Sequence, residues 1–389
     1  MKKLVALMML CVPVMVHAQR IDEVLRSIEQ NNKELQAQTQ QLKAQKMENR
    51  VVNNLSDPVL SYGVDHTNGA VHPDQRTYEV SQEFDFPTQY LTRNKQADLM
   101  NQSLDYQRLV ARRDILLRAK QICLDLVRLN QVGELMQLRM KYAQELEKLY
   151  AKRLETGDAN ILEVNKIKME RMVIQTAVAE NNAAHRSALQ ELLAMNGNLP
   201  LEFDQLHYPD VQPVNSFEML RDQVIPGDVE LKTSSLLHAA AKKQIAVNKQ
   251  DWLPKLQASY SHSYEKFQHS NAFTIGASLP IFTNRKKVQI AKAQAISYQL
   301  QHENARLEVE NRLMAQFNEM MQLKEALDVY DVPLMYKTLD LLKEALKEGQ
   351  ISLIDYFVEA QNVYGNLQAH MDVENSYQKV MASIYKNDL

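Results

Sequence analysis

Proline is nearly missing from two long stretches: none lies between Thr88 and Leu199, and from Ile281 to the C-terminus only Pro333 occurs. Because proline removes a helical hydrogen bond and clashes with the preceding turn, its absence leaves these stretches open to long uninterrupted helix. Cysteine is equally scarce, with Cys11 in an apolar leader and Cys123 alone in the remainder. An intrachain disulfide in the mature chain is thereby excluded, and Cys123 reads as a small apolar helix residue. Past the leader no run of 18 apolar residues occurs and the mean hydropathy is −0.41, which excludes a helical membrane span. It does not exclude membrane strands, whose alternating faces leave little hydropathy trace.

Lys2 and Lys3, the apolar run Leu4–Val16 and the small-residue site Val16-His17-Ala18 predict a signal peptide over residues 1–18. Met8-Met9-Leu10 before Cys11 does not suit lipidation. Cleavage takes the net charge from −3 to about −5, so no basic footprint for nucleic acid remains. The histidines His66, His72, His207, His238, His262, His269 and His370 lack ligand spacing with acids or cysteines. No catalytic arrangement and no phosphate-binding glycine loop is present, so neither an enzyme nor a cofactor is expected.

What is present is a tandem repeat. Asp57-Pro58-Val59-Leu60 matches Leu253-Pro254-Lys255-Leu256, and Asp85-Phe86-Pro87-Thr88 matches Ile281-Phe282-Thr283-Asn284, both 196 residues apart. Glu155 through Glu163 matches Lys347 through Asp355 at an offset of 192, so the second copy is four residues shorter there. Four residues is about one helical turn, which a long helix absorbs without turning its apolar face away. The expected organisation is a first repeat over 19–196, a Pro-bearing linker over 197–215 and a second repeat over 216–389. Each repeat reads as a polar helix (about Ile21–Asn54 and Ser216–Gln250), two strands, a very long helix, a Gly-marked turn and another helix.

A stretch such as Gln89–Glu155 would span roughly 100 Å as helix. Leu135, Leu138, Tyr142, Leu146 and Leu149, with Met335, Leu339, Leu342 and Leu346 in the second copy, recur at spacings of three and four and predict a coiled-coil core. Strand positions Leu60, Tyr62, Val64, Tyr78, Val80, Phe84 and Phe86 alternate with Ser61, Gly63, Asp65, Glu79, Ser81, Glu83 and Asp85. Leu256, Ala258, Tyr260, Phe273, Ile275, Ala277 and Leu279 alternate with polar or small residues in the same way. With polar helices flanking each hairpin, lipid is the apolar partner left for the greasy face, and strands of about ten residues suffice to cross it.

Open sheet edges are costly in hydrocarbon, so four strands per chain demand partners. Two chains supply eight strands and three supply twelve. The acids Asp65, Glu79, Glu83 and Asp85, taken as lining a wet lumen, favour three.

These motifs resemble the TolC-like outer-membrane efflux family over essentially the whole mature chain. Gly276-Ala277-Ser278-Leu279-Pro280-Ile281-Phe282-Thr283-Asn284-Arg285, followed by Ala291-Lys292-Ala293-Gln294-Ala295, is similar to its second-repeat signature, and the turns at Gly157 and Gly349 to its helix tips. The resemblance implies a mostly α fold with a small membrane β part: a homotrimer with a twelve-stranded barrel in the outer membrane and a periplasmic helical tunnel. It implies a passive efflux or secretion conduit that docks through a periplasmic adaptor protein to an inner-membrane pump, from which it takes its cargo. Pro333 upstream of Lys347-Glu348-Gly349 is similar to the cation- and heavy-metal-efflux branch.

By resemblance Asp355, with Glu163 at the equivalent place, lies at the pore constriction, while Val358 stands for a second ring carboxylate and Leu346 for a gate tyrosine. Arg153, Leu154, Gly157, Gly349 and Ser352 mark the adaptor-docking tips. The same acids also suit solvated helix faces. A non-conducting periplasmic scaffold or adaptor would share the long helices but has no use for four amphipathic strands.

Overall fold

The structure is a computed structural model that describes residues 20–66, 74–211, 214–266, 268–282 and 284–389. Residues 1–18, expected to be a signal peptide, and His72 lie outside the described residues. Helices α1 (Ile21–Asn31) and α2 (Lys33–Val51) precede β1 (Val59–Asp65) and β2 (Gln75–Phe84). Then come α3 (Pro87–Thr156) and α4 (Ile161–Met195). The second half repeats the order with α5 (Phe217–Val224), α6 (Val229–Gln250), β3 (Lys255–Glu265), β4 (Gln268–Ser278), α7 (Lys287–Asp328), α8 (Val332–Lys347) and α9 (Leu353–Ile384). No helix among the described residues is long and apolar enough to cross a membrane.

The proline-free stretch forms α3 without interruption over 70 residues. Its counterpart differs from the expected single helix, for α7 stops after 42 residues and α8 restarts at Val332. Asp331 caps α8 by accepting from the Leu334 amide at 3.0 Å, and Pro333 sits in the first turn, where a missing N–H costs nothing. Both leading helices, expected to be continuous, are also broken. Asn32 separates α1 from α2, with its side chain accepting from the Leu35 amide (2.8 Å) and donating to the Met195 carbonyl (2.8 Å). Asp228, 196 residues on, follows a 3-10 turn over Ile225–Gly227 and caps α6 through the Glu230 and Leu231 amides. Both side chains are buried, so each break is a built feature with its own polar partners.

The chain forms two compact units, each drawing on both halves of the sequence. One comprises, among the described residues, those up to Leu35 with Arg112–Leu220 and Leu313–Leu389. Its first core gathers Val24, Ile28, Leu116, Cys123, Leu126 and Leu192, and into it the linker inserts Leu201 and Phe203. Asn130 and Gln131 of α3 donate to the Gln205 and Leu206 carbonyls and fix that irregular segment. The second core of this unit takes Leu135, Tyr142, Leu146, Leu339 and Leu346 from the expected stripes. Leu138, Leu149, Met335 and Leu342 pack against it.

The other unit comprises Gln36–Ala111 and Arg221–Arg312 and holds a single antiparallel sheet in the order β1-β2-β3-β4. Among the described residues the strands run 7, 10, 11 and 11 residues, so β1 is shorter than expected. Phe86 and Leu279 fall just past the ends of β2 and β4, because Pro87 opens α3 and Pro280 follows Leu279. Asn53 donates to the Tyr90 carbonyl (3.2 Å) and Asn248 to the Lys287 carbonyl (3.1 Å), so in each half the helix before the hairpin is pinned to the helix after it.

Candidate functional site: helix tips and sheet faces

Two tips are built alike. At the end of α3 the Asp158 amide donates to the Arg153 carbonyl (2.8 Å) and Gly157 to Leu154 (3.2 Å). At the end of α8 Gln350 donates to Ala345 (2.8 Å) and Gly349 to Leu346 (3.2 Å). This crossed pair satisfies helix-end carbonyls but needs a left-handed residue, and Gly157 (φ 82°) and Gly349 (φ 72°) supply it.

The acids expected at a constriction follow at once, and both belong to capping boxes. Glu163 accepts from the Asn160 amide at 2.8 Å while the Asn160 side chain accepts from the Glu163 amide at 3.0 Å. Asp355 accepts from the Ser352 amide (3.3 Å) and hydroxyl (2.6 Å), and Ser352 Oγ accepts from the Asp355 amide (3.1 Å). One oxygen of each carboxylate is thus engaged in starting α4 or α9. The two carboxylates are not bonded to each other, so the structure brings neither to the other within one chain.

Among the expected docking residues, Arg153 joins the two tips by donating to the Lys347 carbonyl at 2.9 Å, its guanidinium 5.4 Å from the centre of the Tyr150 ring. Ser352 is exposed and serves as the N-cap of α9, whereas Leu154 packs against the second core. Leu346, matched to a gate tyrosine, is buried in the same core, and Val358 is exposed. Sequence spacing missed three exposed apolar side chains beside the tips, Ile161, Leu162 and Ile354. Their signal was legible as apolar residues lying off the buried stripe.

A polar girdle ties the helices behind the tips. Tyr142 donates to Asp340 at 2.6 Å, Lys343 lies 4.0 Å from the centre of the Tyr142 ring and 2.9 Å from Glu145, and Arg139 reaches Glu170 and Gln361. Burial first, then the bond to Asp340, pushes the Tyr142 hydroxyl up, while the hydrogen bond from Lys343 holds the Glu145 carboxyl below its ordinary range.

In the sheet, paired residues share a face, and the register keeps the two faces apart on all four strands. One row runs Leu60, Val80, Tyr260, Phe273 and the next Tyr62, Tyr78, His262, Asn271. The Tyr62 and Tyr78 rings, and those of Tyr260 and Phe273, meet at a tilt with separations of 5.0 and 4.9 Å, yet Phe273 is 84% and Ile275 87% exposed. The opposite face carries Ser61, Glu79, Ser261 and Ala272 in one row and Gly63, Thr77, Ser263 and Ser270 in another. Asp65, Glu79 and Glu83 lie on it, Glu83 paired with Lys255 at 2.6 Å. Asp85 lies past the end of β2 and pairs with Arg93 at 2.5 Å. Among the other histidines, His66 meets Asp74 and His302 meets Ser234, so each has an ordinary polar partner.

Residues 220–387 match the family described as outer membrane efflux protein. Comparison with curated proteins finds no match. Among solved structures the fold is similar to that of the outer-membrane channel OprN, at 13% identity and a TM-score of 0.77, covering 94% of this chain and 89% of that one. The outer membrane protein VceC of Vibrio cholerae is similar at 13% identity and a TM-score of 0.72, covering 94% and 95%. The Campylobacter jejuni CmeC outer membrane channel is similar at 16% identity and a TM-score of 0.71, covering 94% and 85%. Residues 220–387 are thus similar to the outer membrane efflux proteins, and the fold shared with these channels runs along nearly the whole chain.

Proposed function

We propose that three copies of this chain assemble into a passive conduit through the outer membrane, prolonged into the periplasm by their helices and serving an inner-membrane pump through a periplasmic adaptor. The observation that carries the reading is the sheet itself. Its apolar face is exposed on every strand, and its outer edges, on β1 and β4, find no partner strand among the described residues. In lipid such edges must be closed. Because the four strands alternate in direction, β4 of one copy meets β1 of the next antiparallel, and any number of copies keeps the alternation. Two copies give eight strands and a side-chain-filled interior, whereas three give twelve and room for a lumen.

On this reading the repeats over 19–196 and 216–389 supply one hairpin and one helical hairpin each. The polar face with Asp65, Glu79 and Glu83 lines the lumen, and Asp85 stands at its entrance. Asp355 and Glu163 present their remaining carboxylate oxygens near the threefold axis, where like charges repel one another and attract cations. Arg153, Leu154, Gly157, Gly349 and Ser352, with the exposed Ile161 and Leu162, form the adaptor-docking tips.

The test is extraction from outer-membrane fractions and electrophoresis with and without heating, followed by planar-bilayer recording. Trimer-sized, heat-modifiable migration with stepwise conductance is expected. A water-soluble monomer without conductance would overturn the reading and favour a periplasmic scaffold.

A further inference from the structure

The two faces of the sheet differ in charge as well as in polarity. All helices attach at one end, since α2 and α6 lead into β1 and β3 while α3 and α7 leave β2 and β4. At that end the apolar face holds Phe84, Leu256 and Ala277, and the exposed Trp252 lies just before β3. At the opposite, hairpin-turn end the same face changes character. Its last row contains Arg76 and His269 on either side of Tyr264, and the row before it contains His262 and Asn271.

Arg76 is the only formally charged residue of the four strands on this face, and none of the ion pairs among the described residues involves it. The acids Asp65, Glu79, Glu83 and Glu265 all have the other parity. His262 and His269 stack at 5.8 Å, His269 meets Tyr264 at 4.9 Å, and His262 is fixed by Asn271 at 2.7 Å. Arg76 and His269 are exposed and stand clear of the inward carboxylates.

Eight residues separate the Leu256 and Tyr264 rows, roughly 20 Å of height at the usual barrel tilt. The imidazole and guanidinium rows therefore fall near the far boundary of the apolar band, where a charge is tolerated, rather than at its centre, where it is costly. At that level the Arg76 guanidinium is the only formal charge among the strand residues of this face, Asp74 just before β2 being paired with His66 at 3.0 Å, and it has charge complementarity to one component of the surroundings, the phosphate groups of lipid headgroups.

We propose that Arg76 and His269, with His262 and Tyr264 beside them, bind the phosphates of a phosphorylated glycolipid in the distal leaflet, once per subunit. This rests on the reading that the apolar face lies in lipid. The full mature chain is reconstituted into phosphatidylcholine vesicles containing either bisphosphorylated lipid A or its dephosphorylated form, and glycolipid retained after detergent extraction and gel filtration is counted. Phosphorylated lipid is expected to be retained preferentially, with a roughly tenfold loss in Arg76→Gln/His269→Gln and retention kept in Arg76→Lys.

Excess inorganic phosphate should not displace the lipid, and displacement would point instead to a site for free phosphate and overturn the lipid assignment. Insertion with equal retention of both glycolipids, or no change in the double variant while it still migrates as an oligomer, overturns this inference alone. Failure to insert into any vesicle overturns the membrane reading with it.

Discussion

The Ser352 hydroxyl lies 2.6 Å from a carboxylate oxygen of Asp355 and accepts the Asp355 amide hydrogen at 3.1 Å, so each residue holds the other at the first turn of α9. An acid proposed for a pore constriction is therefore also the acid that starts its own helix, and the two roles separate by substitution. Asp355→Asn keeps an acceptor oxygen for the cap and removes the charge, whereas Ser352→Ala removes the cap and keeps the charge. Ser352→Ala is expected to lower stability by about 1 kcal/mol with closed-state conductance unchanged. Asp355→Asn is expected to leave thermal unfolding nearly unchanged and to raise leak conductance in planar bilayers. Equal leak from wild type and Asp355→Asn would remove Asp355 from the constriction.

Replacing Gly157 or Gly349 by alanine tests the tips. A Cβ meets nothing within 4 Å at either position, so the cost comes from the left-handed backbone alone. About 1 kcal/mol is expected for each, by denaturant unfolding, and the two effects should match because the turns make the same hydrogen bonds. A neutral result at one site only would show that the two turns are not equivalent.

The Lys343–Glu145 pair predicts an acid limit. Since the Glu145 carboxyl is held below its ordinary range, chiefly by the hydrogen bond from Lys343, its contribution is complete above the pH at which the unfolded carboxyl ionises. That contribution disappears as acid carries the pH through the lowered value. Thermal unfolding across the carboxylate range should show this component vanish in Lys343→Met. Because the pair is partly exposed, the coupling in a double-mutant cycle should be about 0.2–1 kcal/mol.

Asn32→Ala is expected to cost about 2 kcal/mol or more, because it removes a buried N-cap and leaves the Met195 carbonyl without its donor. Asn32→Asp keeps the acceptor for Leu35 but buries a charge and sets a carboxylate oxygen against the Met195 carbonyl, so it should cost at least as much as alanine. Equal unfolding midpoints for all three proteins would show that the break between α1 and α2 does not depend on this side chain.

The helix breaks show where the sequence stops being informative. Pro333 and Pro226 are visible markers, but Asn32 looks like any other polar residue in a polar helix. Only its position opposite the end of α4, where Met195 offers a carbonyl, makes it a cap. The strand faces were legible because side chains alternate strictly in a strand, so parity alone assigns them. Asp85 shares that parity, yet Pro87 ends the pairing before it and Arg93 claims its carboxylate.

Composition and spacing by themselves determined the repeat offsets, the glycine tips, the coiled-coil stripes and the two faces of the sheet, because each depends on local periodicity or on backbone geometry one residue can satisfy. Tertiary structure alone decided that the hairpins join through β2 and β3 into one sheet, that the tip acids are engaged in caps, and that Arg76 stands on the face opposite the strand acids. Those outcomes depend on register and on partners far apart in the chain, and no local pattern carries them.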